Sequence, residues 1–367
     1  MVIAVSDRWS SIPDQLQMLD VYRDAQVFYR GRLMERPGKW VAAHLERHGL
    51  DPAGKADAGW RIGYAPDEPD QLVERLRQSA FSDEVILGSG LAVAADSGHL
   101  IDRFRDCLMF AVRDSVLAEV GFVGRRRTEA TYLDTPESSF YRKSETLIGV
   151  AEQQEELADG AVPVIVNGPM AALALRAIGE IGAWAGVAVH GTSLSPLQAA
   201  SLRHYATSDT VVVALGNGQA DRQASARMLP LLAKEFTTVS VADLPRDRDP
   251  RTPYLADDDP SILRDALQFG RPLASLVIDL EVEKRAPGHQ EMTRAATLRE
   301  IARVVLRSPA DAQDKELARI SRRLGLDVVA LAHEVQQLKR TKSTLRAARP
   351  AIEPRDPEPP TTSGPAL

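Results

Sequence analysis

Between Ala161 and Val241 the chain alternates short apolar runs with helical stretches. Val162–Val166, Trp184–Val189, Thr210–Leu215 and Phe236–Val241 are runs of strand length. Between them lie helical patterns over Met170–Ile178, Pro196–Tyr205 and Ala220–Lys234. Strands that are apolar throughout and joined by helices of this length predict a parallel sheet covered on both faces. An open sheet of this kind collects ligands at the carboxyl ends of its strands.

The flanks read differently. Leu19, Tyr22, Ala25, Phe28, Tyr29 and Leu33 fall at helical spacing, a second stretch follows around Trp40, and Gly49 stops it. Residues 60–128 mix short strands and helices, with turn signals at Ala65-Pro66 and Ser97-Gly98. Residues 256–340 read as all-helical, with a turn at Leu324-Gly325-Leu326 and apolar positions such as Leu331 and Val335 forming a bundle core. The tail from Pro350 carries six prolines and few apolar residues, a composition that predicts disorder. The expected fold is α/β. A mixed α+β subdomain spans 1–150, a central parallel-sheet domain 151–255 and a helical subdomain 256–340, with a Pro-rich tail at 341–367.

Composition narrows the function classes. With 44% hydrophobic residues, 367 positions suffice for a sizeable core. The net charge of −6 excludes a globally basic nucleic-acid binder but not a local basic face. Cys107 is the one cysteine, so no intrachain disulfide forms, which suits a reducing cytoplasm. Cys107 itself lies in an apolar run and is expected in the core. No cysteine/histidine cluster has zinc-site spacing. The first residues lack an apolar run, so no secretory leader is expected, and no segment is apolar enough to span a membrane.

Ordered motifs between Arg61 and Lys143 carry a family resemblance. Arg61-Ile62-Gly63-Tyr64-Ala65-Pro66 comes first, then Gly90-Leu91, Asp102-Arg103-Phe104-Arg105 and Met109-Phe110. Gly121-Phe122-Val123-Gly124-Arg125, Tyr132-Leu133-Asp134-Thr135-Pro136-Glu137 and Phe140-Tyr141-Arg142-Lys143 follow. This series resembles the catalytic core of bacterial DnaG-type DNA primases over roughly residues 20–335. The α/β segment then resembles that family's TOPRIM domain. No counterpart of the family's zinc-binding module or helicase-binding region is recognisable here.

The resemblance implies primer synthesis on a DNA template, a phosphoryl transfer that uses divalent cations held by carboxylates. Here the sequence departs from the family. The E-G-x-x-D motif aligns with Asn167-Gly168-Pro169-Met170-Ala171, so Asn167 and Ala171 stand where acids would. The D-G-D motif aligns with Gly216-Asn217-Gly218, so Gly216 and Gly218 replace both aspartates. His190-Gly191-Thr192 still resembles the turn after the second strand. Of the third acidic motif, Asp249 remains and Arg251 replaces its partner. Asp221 and Asp249 are the residual candidates for a single magnesium ion; the plainer reading makes them solvated loop acids. The expectation is a degenerate primase-like protein with no cofactor, or with Mg2+ if it is active.

Two further expectations follow. Gly216-Asn217-Gly218-Gln219 opens a helix, whose unpaired N–H groups favour an anion, so a phosphate held without metal is one reading and an ordinary glycine turn the other. The resemblance also implies template or nucleotide contacts at Arg103, Arg105, Arg125, Tyr132 and Lys143. Six arginines and four acids fall between 102 and 127, so a solvated charged face is the alternative. Asp134 would repel phosphate unless a neighbouring arginine pairs with it. His190 reads as a hydrogen-bonded structural histidine. Ser193 and Ser195 lack a histidine–acid arrangement, so a hydrolase is set aside. The partner expected is single-stranded DNA or RNA, with a replication or conjugation protein as a further one, because zinc-module-lacking relatives travel on mobile elements. A working nucleotidyltransferase with a rearranged metal site and a purely structural subunit are the competing readings.

Overall fold

The computed structural model describes residues 12–48, 50, 59–127, 132–178, 183–244, 260–283, 294–306, 313–324 and 326–347. Gly49, Asp249, Arg251 and residues 348–367 lie outside them; the Pro-rich tail expected from 341 starts later, because residues 341–347 continue a helix that runs to Ala347. The chain divides into two compact units, 1–280 and 281–367.

The first unit contains two sheets. Helix α1 (Ile12–Glu35) and α2 (Lys39–Arg47) precede β1 (Ile62–Ala65), α3 (Gln71–Gln78) and α4 (Asp83–Gly88). A small hairpin, β2 (Ala92–Ala94) with β3 (Leu100–Asp102), leads to β4 (Cys107–Arg113), β5 (Glu119–Arg126) and β6 (Tyr132–Asp134). Strands β1-β4-β5-β6, in that order, form an antiparallel sheet. Helix α1 lies across it because Tyr22 and Tyr29 meet the Phe122 ring edge-on at centroid distances of 6.1 and 5.4 Å. Gly63 permits that approach: a Cβ there would fall 2.5 Å from the Tyr29 Cβ. Cys107 is buried in this layer, as its apolar surroundings predict.

Asp102 has a structural task. Helix α3 receives no side-chain cap from Asp70; instead the Asp102 carboxylate accepts the Leu72 and Val73 N–H groups at 2.9 and 3.0 Å. Burial pushes its pKa up to about 6 against the opposing pull of these bonds.

The second sheet follows the alternation read in the sequence. After α5 (Gln154–Ala158) come β7 (Val162–Val166), α6 (Pro169–Ile178), β8 (Trp184–Ala188), α7 (Pro196–Tyr205), β9 (Thr210–Val213), α8 (Gln219–Glu235) and β10 (Thr238–Val241). With β11 (Arg271–Pro272) added, the order is β11-β10-β9-β7-β8, in which β7 to β10 pair parallel. Strand β11 pairs antiparallel at the β10 edge, between α9 (Pro260–Gln268) and α10 (Leu273–Glu283). The all-helical expectation for 256–340 misses this short strand. Its side chains carry no periodic signal, and its place is set by pairing with Ser240 and Val241.

One hydrophobic cluster runs from Leu45, Trp60 and Phe110 beside the antiparallel sheet to Val164, Met170 and Ala174 beside the parallel one. That shared core fixes the two sheets against each other and leaves a cleft where β5 and β6 approach the ends of β7 and β8.

The second unit holds α11 (Arg294–Val305), α12 (Gln313–Leu324) and α13 (Val328–Ala347). Ile301, Ala302, Val305, Leu317, Ile320, Leu331 and Val335 are buried there, as a bundle core requires. Among the described residues no helix is long and apolar enough to cross a membrane.

Candidate functional site

The cleft has a volume of about 460 Å3. One wall comes from the antiparallel sheet and the segment after it, with Arg125, Tyr132, Asp134 and Lys143. The other comes from the strand ends of the parallel sheet, with Asn167, Gly168, Ala171, His190 and Asp221. Arg125, Tyr132 and Lys143, expected from the sequence to contact nucleic acid, therefore share the cleft with Asn167 and Ala171, two positions that the family resemblance assigns to acids.

Each residue has a definite local setting. The Arg125 guanidinium lies over the Tyr132 ring, 5.7 Å from its centroid. The ring also packs closely on Gly168, where a Cβ would fall 2.7 Å from Tyr132 Cε2. Burial raises the Tyr132 pKa, with Arg125 opposing, so the phenol stays a neutral hydrogen-bonding group at ordinary pH.

Asp134 is paired, but not with an arginine. Its Oδ2 lies 2.6 Å from Lys143 Nζ, and its Oδ1 is 3.5 Å from His190 Nδ1. The far side of the His190 ring faces the Tyr141 hydroxyl, with Nε2 3.4 Å from Oη. Burial alone would raise the Asp134 pKa, but His190 and Lys143 outweigh it and hold it below the usual carboxylate range. Asp134 is thus an ionised carboxylate with a cation already on it.

Arg103 and Arg105 are not brought into the cleft. The Arg103 Nε donates to the Asp134 backbone carbonyl at 3.2 Å and braces β6 from behind. Burial lowers its pKa, with Asp134 opposing. Arg105 is exposed and does not line the cleft. The D-R-F-R stretch thus serves in part to cap α3 and hold β6.

The strand ends decide what the cleft can bind. The Asn167 Nδ2 donates to the Leu215 carbonyl at 3.4 Å, and Ala171 is 4% exposed. Gly216 has φ +127°, a conformation strained for any side chain but glycine. At Gly218 an added Cβ would fall 2.9 Å from Asp221 Oδ2, so the Asp221 carboxylate occupies the space beside that position. Asn217 reaches Asp243 at 3.4 Å. Helix α8, which Gly216-Asn217-Gly218-Gln219 opens, has Gly218 as its N-cap with no side-chain bond and Asp221 in its first turn.

A family-type magnesium site needs several hard oxygen ligands converging on one point. Among the described residues the carboxylates lining this cleft are Asp134, which is held by Lys143, and Asp221. Among the described residues no three histidine, cysteine, aspartate or glutamate side chains gather as metal ligands. Asn167, Ala171, Gly216 and Gly218 supply no carboxylate. The described residues lining the cleft do not bring together the ligand set such an ion needs, and Asp249 lies outside the described residues.

Sequence reasoning did not single out Gly168, the seat of Tyr132, or Lys143 as the partner of Asp134. The Gly168 signal is a glycine two residues past the end of an apolar strand. The Asp134–Lys143 pair has no local signature, because the two lie on separate segments.

Comparison with known proteins agrees with the fold. Residues 28–154 match the family model of the DNA primase catalytic core, N-terminal domain. A DNA primase from Deinococcus radiodurans is 30% identical over 258 residues, covering 70% of this chain and 44% of that protein. The chain spans about half the length of the curated DNA primases it matches. The RNA polymerase domain of Mycobacterium tuberculosis primase DnaG, in complex with double-stranded DNA, superposes with a TM-score of 0.67 at 24% identity. That match covers 85% of this chain and 99% of that one. A DnaG primase catalytic domain bound to ssDNA gives a TM-score of 0.66 at 21% identity, covering 85% of this chain and 100% of that one. Residues 28–154 are therefore a DNA primase catalytic core N-terminal domain, set in a chain whose fold matches the DnaG catalytic core.

Proposed function

We propose that this chain is a primase-like core that binds single-stranded nucleic acid in the cleft between its two sheets, without metal-dependent nucleotidyl transfer of its own. The observation that carries the reading is the content of the strand ends. Asn167 is tied to a backbone carbonyl, Ala171 is a buried methyl, and Gly216 has a φ that excludes an unstrained aspartate. The opposite wall keeps Arg125 stacked on Tyr132, an arrangement suited to a phosphate or an unpaired base. The similar DnaG domain bound to ssDNA supports a nucleic-acid ligand for this fold.

A second reading rests on Asp221. Its carboxylate stands beside the position of the lost side chain at Gly218. That placement supports a working nucleotidyltransferase with a rearranged, weaker metal site.

Primer synthesis on a single-stranded template, with magnesium or manganese, separates the two. The first reading expects no primer, together with oligonucleotide binding that weakens with salt. Arg125→Ala then weakens binding and reduces the salt slope by about one. Primer synthesis abolished by Asp221→Asn would establish the second reading instead.

A further inference from the structure

Lys143 lines the cleft, and the carboxylate it meets belongs to the same wall. Lys143 Nζ lies 2.6 Å from Asp134 Oδ2, with the Asp134 side chain 15% and the Lys143 side chain 39% exposed. The acid is the fixed member of the pair. Arg103 holds its backbone carbonyl at 3.2 Å, and His190 Nδ1 faces its other oxygen at 3.5 Å. The lysine is the movable member, on a flexible stem reaching in from the segment after β6.

We infer that Asp134 is a built-in competitor for anions at Lys143, so that a phosphate-bearing ligand entering the cleft must displace a carboxylate already bound there. The inference rests on the reading of the cleft as a nucleic-acid site and names what sets its affinity. Among the described residues the charges lining the cleft balance: Arg125 and Lys143 stand against Asp134 and Asp221. A balanced cleft gives little Coulombic attraction to a polyphosphate. Binding is then left to ligands that gain from stacking on Arg125 and Tyr132. A strand whose bases are unpaired does so; a free polyphosphate does not. Replacing the aspartate with a neutral group of the same shape frees the lysine and tips the balance to positive.

The test uses the full chain and inorganic tripolyphosphate, which carries charge but no base. Binding is measured by calorimetry for the unmodified protein, Asp134→Asn, Lys143→Ala and the double variant. Asp134→Asn is expected to bind tripolyphosphate about tenfold tighter, the effect of one released charge-assisted contact. That gain is expected to vanish in the double variant, because the released lysine is what captures the anion. No gain in Asp134→Asn overturns the inference. So does a gain that survives Lys143→Ala, since that would be a general effect of removing one negative charge. If the asparagine variant does not fold, Asp134→Ser makes the same comparison. Single-strand binding is measured in parallel. Its absence, with the tripolyphosphate pattern intact, sinks the proposed function but not this inference; its presence without the pattern does the reverse.

Discussion

The Asn167 side-chain amide donates to the Leu215 carbonyl oxygen at 3.4 Å, joining the loops that follow the neighbouring strands β7 and β9. A carboxylate cannot make this bond. Asn167→Asp keeps the shape, loses the donor and points an oxygen at a carbonyl, at an expected cost of about 1–2 kcal/mol. Gly216→Asp forces a side chain onto φ +127° and costs about 1–3 kcal/mol more. The double variant should therefore shift to a clearly lower urea midpoint with an unchanged denaturant slope. Midpoints equal to the parent's would mean that these loops still accommodate acids, and would weaken the case for a degenerate site.

Gly168 and Tyr132 make a second tight contact. An alanine at 168 would place its Cβ 2.7 Å from Tyr132 Cε2, so the ring must move, and the Arg125 guanidinium stacked on it moves too. Gly168→Ala is expected to cost about 1–3 kcal/mol through overpacking. It should also weaken oligonucleotide binding severalfold, because base–aromatic stacking is worth about 1–3 kcal/mol per base. Equilibrium binding of a fluorescent single-stranded oligonucleotide reads this directly. Undiminished affinity in a destabilised variant would remove Tyr132 from the binding surface.

The parts of the molecule that were legible in the sequence are those governed by local periodicity. The runs at Val162–Val166 and Thr210–Val213 are β-branched and apolar on both faces, and they form central strands with helices between them. Strand β11 was not legible, because Arg271–Pro272 is too short to show a period and exists through its pairing with β10. The site divides in the same way. Residues at strand ends could be placed at the cleft because topology dictates it. Arg103 and Arg105, two positions apart, could not be told apart: one folds back onto the Asp134 carbonyl and the other faces solvent. The ion pair of Asp134 with Lys143 and its contact with His190 depend on three segments meeting, which no spacing encodes.

The buried cap of helix α3 gives a pH signature. The Asp102 carboxyl, pushed by burial up to about 6 from 3.8, keeps its proton in the folded chain over a range where the unfolded chain has released it. Its contribution to stability is therefore largest below 3.8 and declines as pH rises towards about 6. Asp102→Asn is neutral throughout and removes that decline, although it loses one of the two backbone contacts. Asp102→Ala leaves the Leu72 and Val73 N–H groups uncapped and should cost about 1–3 kcal/mol. Urea midpoints collected across this range check both. An Asn variant with the parent's pH slope would show that Asp102 does not titrate there.

His44 and His48, one turn apart on and just beyond α2, act with the opposite sign. Their rings pack 4.6 Å apart, and His48 Nδ1–H donates to the His44 carbonyl oxygen at 2.8 Å. Neither Nε2 has a hydrogen-bond partner among the described residues. Burial first, then the neighbouring His48, Arg125 and Arg47, lowers the His44 pKa to about 3; burial likewise lowers His48. The unfolded chain protonates near 6.5 while the folded chain resists, so the stability that the neutral His44 ring contributes is complete above 6.5 and is lost as pH falls towards 3, and His48 acts in the same direction. In the parent this acid limb and the opposing Asp102 limb overlap and partly cancel. His44→Gln should flatten the acid limb, and the further change His48→Gln should flatten it more, exposing the Asp102 decline. Ring-proton NMR titration of the folded chain gives an independent reading: a His44 resonance titrating near 6.5 would show that the ring is open to protonation and would remove this source of acid sensitivity.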